Sequence, residues 1–429
     1  MITLDQARRL TDERAVKSAS NATRPATGIT PPRAVSRGAT QILEFFLFLA
    51  IAISGFVFVE PSPYEFAMVP LAFGCLIAGV AIRRELLPMI WLLLLWNVGG
   101  AIAYFRVSDK DLTNKFVMIT LFMAMSAIIF ASLFSSDSLR RLRILRAAYI
   151  IAALLAATAG IIGYFNLTGG LGELFAPGGR ARGPFKDPNV YGPFLILPIL
   201  FLLQSLLSNG VRLLTTVTLL IILFGFFLSF SRGAWIHFVL SSVIMLGLMI
   251  VTAANHRTRL RLILLGAVSV GLLAMAMAAA LSFDSIADMF KQRAQIVQTY
   301  DVGSGGRFTL QNLALAEILN YPFGMGPFAF GEAYGYQQHN VYLQAFLVYG
   351  WIGGLAYVAL IVLTLIAGLG AALKRTLWQP YLIAVYATFV GVVGEGIVID
   401  TDHWRHFFLL LGVIWGLVAA SRGYKRRFS

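Results

Sequence analysis

The sequence predicts an all-α protein, a polytopic transmembrane bundle of about twelve helices. Apolar residues make up 58% of the 429 residues and charged residues 13%, whereas a soluble globular domain is about half apolar and a quarter charged. Twelve apolar runs approach or exceed the roughly 20 residues that a helix needs to cross the hydrocarbon core. None of these runs alternates apolar and polar residues as membrane-spanning strands do, so we expect every span to be helical.

The chain begins with a polar tail, residues 1–40. This tail contains seven basic residues and three prolines, and it has no apolar segment of the kind found in a cleavable signal peptide. Low hydrophobicity combined with high charge is typical of disorder. We therefore expect a disordered basic tail, followed by a single transmembrane domain over residues 41–425.

The twelve apolar runs give the predicted helices in order. They cover residues 42–59, 66–82, 87–105, 114–134, 146–165, 189–207, 212–229, 234–252, 260–281, 340–371, 381–399 and 404–421. Two of the connections are long, residues 166–188 and residues 282–338. Connections of that length are usually functional or disordered. The second one, between helices nine and ten, is rich in aromatic residues, and we expect it to be ordered and partly helical.

The basic residues predict the orientation of the helices. With both termini placed in the cytoplasm, 23 of the 34 Lys and Arg residues lie on the cytoplasmic side and 11 lie outside. Cytoplasmic loops of membrane proteins carry this excess of Lys and Arg. The net charge of +14 is therefore explained mainly by topology, and no nucleic-acid partner is expected.

Basic residues on the outer side are candidates for a site, because topology disfavours them there. In the 166–188 loop, Arg182 and Lys186 precede Asp187 and Pro188. Asp187 and Pro188 are explained as the N-cap and the first residue of the next helix. The cations have no such explanation, and we expect Arg182 to bind phosphate.

Two further arginines stand at the starts of helices. Arg232 lies in a short turn at membrane depth, where a cation is costly unless it is paired or faces a polar cavity; snorkelling to the lipid headgroups is the alternative. Arg307 follows the glycine-rich run 303–306 and opens a helical stretch, 308–319. A cation there opposes the helix dipole unless an anion binds, although a glycine-rich linker has the same sequence pattern.

A histidine opens the apolar helix that follows the second long connection. Neutral His339 suits a general base near neutral pH, and a histidine at headgroup level or at a helix cap is the alternative. Before the last helix, Asp400 and Asp402 are followed by a histidine. Their oxygens suit a divalent cation, but a polar network that orients the Arg and His groups is the favoured interpretation. We expect His237 to be a satisfied interior histidine.

These residues resemble the motifs of a known family, the bacterial O-antigen ligases and polysaccharide polymerases, which are integral membrane glycosyltransferases. The matching elements are Arg182-Gly-Pro-Phe, Ser231-Arg232-Gly233, Gly306-Arg307 leading to Pro322-Phe323-Gly324-Met325-Gly326, and His339-Asn340 followed by Gly350, Gly353 and Gly354. The elements also occur in the family's order, over roughly residues 170–420. We expect the last three glycines to serve close helix packing.

The resemblance implies a reaction. Such proteins transfer a glycan from undecaprenyl diphosphate to an acceptor sugar hydroxyl at the periplasmic face of the bacterial inner membrane. The acceptor is lipid A-core in a ligase and a lipid-linked glycan in a polymerase, so the product is lipopolysaccharide or exopolysaccharide. Both long connections are then periplasmic, among membrane lipids. The transfer is inverting and needs no metal or cofactor.

The resemblance also implies a role for each candidate residue. The diphosphate is bound by Arg182, Lys186, Arg232 and Arg307, and Arg232 also acts in catalysis. His339 is the base that activates the acceptor hydroxyl. Three residues support the site, namely Asn340, Asp402 and Arg405.

The main alternative is a twelve-helix polysaccharide transporter or flippase. Transporters usually have related halves and ionisable sites near the midplane of the membrane. We find no repeat between residues 42–207 and 212–421, and the first nine predicted helices have almost no charge in their interiors. An enzyme is therefore favoured.

Overall fold

The computed structural model describes residues 37–107, 110–167, 169–295 and 305–428, with side chains described as far as residue 422. Within these ranges the chain is almost entirely helical and contains no strand, which confirms the predicted all-α class. The predicted tail lies outside the described residues as far as residue 36. Residues 37–40, which were predicted to belong to it, form the start of the first helix instead.

Sixteen α-helices are found in the described residues. They are α1 Arg37–Ala52, α2 Pro63–Ile77, α3 Leu87–Tyr104, α4 Lys110–Phe134, α5 Ser138–Tyr164, α6 Gly172–Phe175, α7 Pro188–Asn209, α8 Leu213–Phe227, α9 Arg232–Thr252, α10 His256–Ala280, α11 Asp284–Arg293, α12 Arg307–Asn320, α13 Ala329–Tyr334, α14 Val341–Ala372, α15 Gln379–Glu395 and α16 Arg405–Phe428. Each predicted apolar run corresponds to one of them.

Eight helices of the described chain are long and apolar enough to cross a membrane. They are α3, α4, α5, α7, α9, α10, α14 and α16. The remaining four helices that match predicted spans, α1, α2, α8 and α15, have 15 to 17 residues. The chain is thus a multi-pass membrane protein, while the number twelve and the orientation stay predictions.

Small residues bring the central helices into close contact. A Cβ atom on Gly99 of α3 would lie 2.9 Å from the Cα of Gly353 on α14. On α16, a Cβ on Gly412 or on Gly416 would meet the backbone carbonyl oxygens of α4 at 2.5 and 2.6 Å. Small residues allow helix backbones to approach in lipid. The packing role predicted for Gly353 is confirmed.

Gly350 interrupts α14 rather than packing against another helix. Its φ of 65° and ψ of −172° are not helical, and only glycine adopts such a conformation readily. A Cβ there would lie 2.8 Å from the carbonyl oxygen of Pro322, which accepts a hydrogen bond from the Trp351 N–H at 2.9 Å. The turn that follows α12 therefore packs against the interruption in α14.

Backbone hydrogen bonds join several connections at one end of the bundle. The Ala181 N–H donates to Leu228 (2.8 Å), the Val57 N–H to Pro184 (2.9 Å), and the Val341 N–H to Gly396 (2.9 Å). The residues joined in this way lie in the segments before α2, α7, α9 and α16 and at the first residue of α14. The candidate residues lie at this end, which is the predicted periplasmic end.

Candidate functional site

A cavity of about 460 Å³ lies at the predicted periplasmic end, and arginines dominate its polar lining. We call it the arginine cavity. Its described lining contains four arginines and one acidic side chain, which are Arg180, Arg232, Arg293, Arg307 and Glu395. With all five ionised, the lining carries a net charge of +3. Such a cavity attracts an anion.

Arg232 and Arg307 each occupy the first position of a helix. Ser231 caps α9, since its hydroxyl accepts a hydrogen bond from the Ala234 N–H at 3.4 Å. The Arg232 guanidinium donates to the Gln295 carbonyl at 2.8 Å. The first N–H groups of a helix have no acceptor within that helix and favour an anion. Two helix N-termini and two cations thus meet at one cavity.

Arg180 is held by residues from two neighbouring segments. Its guanidinium donates to the Asn189 side-chain oxygen at 2.8 Å and to the Ser229 carbonyl at 3.0 Å. These partners belong to α7 and to the connection between α8 and α9. The cation is therefore fixed in place beside Arg232 before any ligand binds.

Arg293 reaches the cavity from α11, the first helix of the long connection. The ring of Phe290, one turn earlier, packs 5.5 Å from the ring of Trp235 on α9. This contact places α11 next to α9, and both rings line the cavity. The Nε of Arg293 is buried and has no hydrogen-bond partner among the described residues. It is thus a donor that a bound anion would satisfy.

Glu395 forms the acidic part of the cavity and is paired with a buried histidine. His237 Nδ1 lies 2.8 Å from a Glu395 carboxylate oxygen, and its Nε2 lies 3.0 Å from the Thr388 carbonyl. Because a carbonyl only accepts, Nε2 carries a hydrogen and donates to it. Both ring nitrogens are satisfied, which confirms the prediction for His237.

Arg182 and Lys186 do not line the arginine cavity. Arg182 donates to the carbonyls of Leu174 (3.2 Å) and Lys186 (2.9 Å), so it holds its own loop together. Lys186 pairs with Glu60 at 3.0 Å on the surface. The diphosphate-binding role of these two residues stays a prediction that the geometry does not favour. Arg180 is the cation of this loop that lines the cavity.

His339 lies between α13 and α14 in a left-handed conformation, with a φ of 47°. That region is uncommon for residues other than glycine. Its Nδ1 is 3.3 Å from an Asp400 carboxylate oxygen, and half of its side chain is exposed. Asn340 caps α14 by accepting hydrogen bonds from the N–H groups of Tyr342 (3.0 Å) and Leu343 (3.2 Å). Asn340 therefore fixes the start of α14 next to His339, and its role in the reaction stays a prediction.

Gln311 connects the helix of Arg307 to the segment that carries His339. Arg307 and Gln311 are four residues apart on α12 and so share a face of that helix. The Gln311 side chain donates to the Gln338 carbonyl at 3.4 Å and to the Ile397 carbonyl at 3.3 Å. Gln311 therefore links α12, which begins at Arg307, to the segment that contains His339. His339 itself does not line the arginine cavity.

Asp402 and Arg405 do not line the arginine cavity. The buried Asp402 accepts two hydrogen bonds of 3.1 Å from the Gln344 amide, and burial raises the pKa of its carboxyl group. Arg405 pairs with Glu65 at 2.6 Å. Among the described side chains, no group of three or more His, Cys, Asp or Glu residues is arranged to hold a metal ion.

Residues 217–358 match the model of a protein family described as O-antigen ligase. The matched segment extends from α8 into α14 and contains Arg232, Arg293, Arg307 and His339. The match confirms the family resemblance inferred from the sequence motifs. No curated protein matches the chain at a significant level.

Proposed function

We propose that the chain transfers a glycan from undecaprenyl diphosphate to an acceptor sugar hydroxyl, because residues 217–358 match the model of a family described as O-antigen ligase. The reaction takes place at the periplasmic face of the bacterial inner membrane. It inverts the anomeric centre and uses no metal. Lipid A-core and a lipid-linked glycan are the two acceptor classes, for a ligase and for a polymerase.

The observation that carries this proposal is the convergence of four arginines on one cavity. When the glycan leaves, the lipid diphosphate takes up the electron pair of the broken C–O bond. Fixed guanidinium groups and helix N-termini stabilise such developing charge without reorganisation. The cavity is also lined by Trp235, Ile236 and Phe308, which give the lipid chain an apolar path.

His339 has the surroundings that a general base requires. If its Nδ1–H donates to Asp400, its Nε2 is left as the proton acceptor. Nε2 then takes the proton of the acceptor hydroxyl as the oxygen forms its bond to the anomeric carbon, while the bond from that carbon to the diphosphate oxygen breaks. Asp400 stabilises the imidazolium that results. A single displacement of this kind inverts the anomeric centre.

The transporter alternative is not favoured. A transporter places ionisable groups at the midplane, where both sides have alternating access. Here the lining arginines belong to helix starts, to one helix end and to a loop, all at the same end of the bundle. That placement suits a reaction at one face of the membrane.

Substitution of His339 by alanine tests the proposal. Purified protein in proteoliposomes is given an undecaprenyl-diphosphate-linked glycan and an acceptor, and transfer is measured with a labelled glycan. We expect His339→Ala to reduce the transfer rate at least about 100-fold, as the loss of a general base does, with donor binding retained. His256→Ala, an exposed histidine at the start of α10, is the control and should transfer at the wild-type rate. Undiminished transfer by a folded His339→Ala protein would exclude His339 as the base.

A further inference from the structure

Helix α12, Arg307–Asn320, is too short to cross a membrane, yet it exposes large apolar side chains. Phe308 is 52%, Leu315 is 55% and Leu319 is 71% exposed. Their spacings of seven and four residues place all three on one side of the helix. We call this side the exposed apolar face of α12. Exposed apolar surface of this kind marks a contact with another protein or with lipid.

The rest of α12 divides into a buried face and a mainly polar face. Leu310 and Ala314 are buried and pack in one cluster with Leu347 of α14, so the buried face holds α12 against that helix. Glu317 and the exposed Asn320 lie on the third face, and Asn320 is turned by about 100° from the residue before it. An apolar and a polar exposed face on one helix are typical of a helix that lies at a membrane surface.

The helix α14 gives the depth of one end of α12. About 20 helical residues cross the hydrocarbon core, and residues 353–372 are an uninterrupted helical stretch that ends shortly before Lys374. The boundary of the hydrocarbon core at the arginine-cavity end therefore lies close to Trp351, and tryptophan is enriched at such boundaries. The Trp351 indole N–H donates to the Ile318 carbonyl at 2.8 Å. The last turn of α12 thus lies at this boundary.

The helix α3 gives the same depth for the turn that follows α12. The apolar span that begins at Arg84 ends at Tyr104 and has 21 residues, so Tyr104 lies at the boundary of the hydrocarbon core. The next residue, Phe105, is 81% exposed. The Arg106 guanidinium lies 5.8 Å from the centroid of the Phe323 ring, which is within the range of a cation–π contact. The depths derived from α3 and α14 therefore agree.

The other end of α12 lies at the same level. The span Arg232–Thr252 of α9 also has 21 residues, which places Arg232 at the boundary of the hydrocarbon core. Arg232 and Arg307 line the arginine cavity together. The 14 residues of α12 form a helix about 21 Å long. A helix of this length with both ends at one level runs along the membrane surface.

From this arrangement we infer that α12 is an interfacial helix, and that its exposed apolar face inserts among the lipid acyl chains of the leaflet at the arginine-cavity end. Lipid is the partner that this depth supplies. Phe308 belongs to the exposed apolar face and also lines the arginine cavity, so the insertion of α12 fixes the height of this cavity relative to the lipid headgroups. The inference depends on the helix geometry and not on the proposed reaction.

The test measures the depth of single spin labels on the full-length protein in phosphatidylcholine nanodiscs. Cys75, the only cysteine in the sequence, is replaced by serine, and a cysteine is introduced at Leu319 or at Asn320. We expect the Leu319→Cys label to collide more often with oxygen, which dissolves among acyl chains, than with a water-soluble nickel chelate. Its depth should be about 5–10 Å into the leaflet. The Asn320→Cys label is the matched control and should collide more often with the nickel chelate.

The outcomes separate lipid, water and protein as the surroundings of the exposed apolar face. Leu355→Cys, at a position that is 60% exposed on the spanning part of α14, is the reference for lipid contact. A Leu319→Cys label that prefers the nickel chelate would place this face in water, and a label shielded from both reagents would show that protein covers it. Either result would overturn the inference. A protein with an inserted α12 that transfers no glycan would contradict only the proposed function.

Discussion

Arg180 and Arg182 are two residues apart, and their guanidinium groups serve different purposes. Arg180 is held by Asn189 and Ser229 at the edge of the arginine cavity. The Arg182 guanidinium donates instead to backbone carbonyls of its own loop. Replacing each arginine separately therefore distinguishes the loss of a charge in the arginine cavity from the loss of an arginine elsewhere in this loop.

We predict that Arg180→Ala weakens undecaprenyl diphosphate binding and that Arg182→Ala does not. A hydrogen bond to a charged group contributes about 1.5–3 kcal/mol, so Arg180→Ala should raise the dissociation constant roughly 10- to 100-fold. Arg182→Ala is the matched control; it should lower thermal stability, because the loop loses two hydrogen bonds. The measurement is donor binding and thermal unfolding of both variants in the same nanodiscs. A larger loss of donor affinity in Arg182→Ala than in Arg180→Ala would show that Arg182 belongs to the diphosphate site.

The backbone of His339 shows how its position is fixed. A non-glycine residue in the left-handed region costs about 1–3 kcal/mol and persists only when its neighbours impose it. Asn340 on one side caps α14, and the Val341 N–H is bonded to Gly396. The imidazole is therefore directed at Asp400 by covalent neighbours that are themselves anchored. Such placement is expected of a group that must meet a substrate.

At the scale of elements, the helix pair α3 and α14 forms the support of the site. Gly99 and Gly353 let the two backbones meet, and the buried ring of Trp96 packs against Tyr349 at 5.2 Å. His339 directly precedes Asn340, the N-cap of α14. A change in the spacing of these helices therefore displaces the base.

We predict that Gly99→Ala destabilises the protein. The new methyl group would lie within 2.9 Å of the Gly353 backbone, which cannot move as a flexible side chain does, and overpacking of this kind costs about 1–3 kcal/mol. Gly271→Ala on α10 is the control, since nothing lies within 4 Å of its Cβ position. Thermal unfolding in detergent should give a lower midpoint for Gly99→Ala only. Equal midpoints would show that α3 and α14 are not held at this distance.

The segment from α12 to α14 is a second structural unit of the site. The Met325 N–H donates to the Leu347 carbonyl at 2.7 Å, and the Trp351 N–H donates to Pro322 at 2.9 Å. These bonds lock the turn after α12 into the interruption at Gly350. They therefore fix α12, which begins at Arg307, relative to α14, the helix that His339 precedes.

At the scale of the whole molecule, the arginine cavity lies at one end of the bundle. The positive-inside count predicts that this end is periplasmic. Cys75 is the only cysteine in the sequence, so its replacement by serine gives a background in which single cysteines report the orientation.

We predict that Glu173→Cys, on α6, reacts with a membrane-impermeant maleimide in intact spheroplasts, because the positive-inside count places this exposed position on the periplasmic side. Ser208→Cys, exposed at the other end of α7, should react only after the membrane is permeabilised. The Cys75→Ser protein without an added cysteine is the negative control for labelling. The reverse labelling pattern would place the arginine cavity on the cytoplasmic side and would contradict the proposed use of a periplasmic donor.

The sequence alone determined the helical class and the position of each apolar helix. It also singled out Arg232 and Arg307, which line the arginine cavity, and His339, whose role as a base stays a prediction. These features are local. Apolar length, a cation at a helix start and a histidine before an apolar run are visible without knowing which segments meet. Helix ends were predicted less well. The first helix was predicted from residue 42 but begins at Arg37, because a charged or polar first turn adds no apolar signal.

The tertiary structure decided which polar groups belong together. The choice of Arg180 over Arg182, the addition of Arg293, and the pairing of His339 with Asp400 all depend on contacts between segments distant in sequence. Neighbouring arginines in a loop are equivalent in sequence, and only the path of the folded loop distinguishes them. The arginine cavity is likewise a product of packing, because its lining arginines come from α9, α11, α12 and the connection before α7.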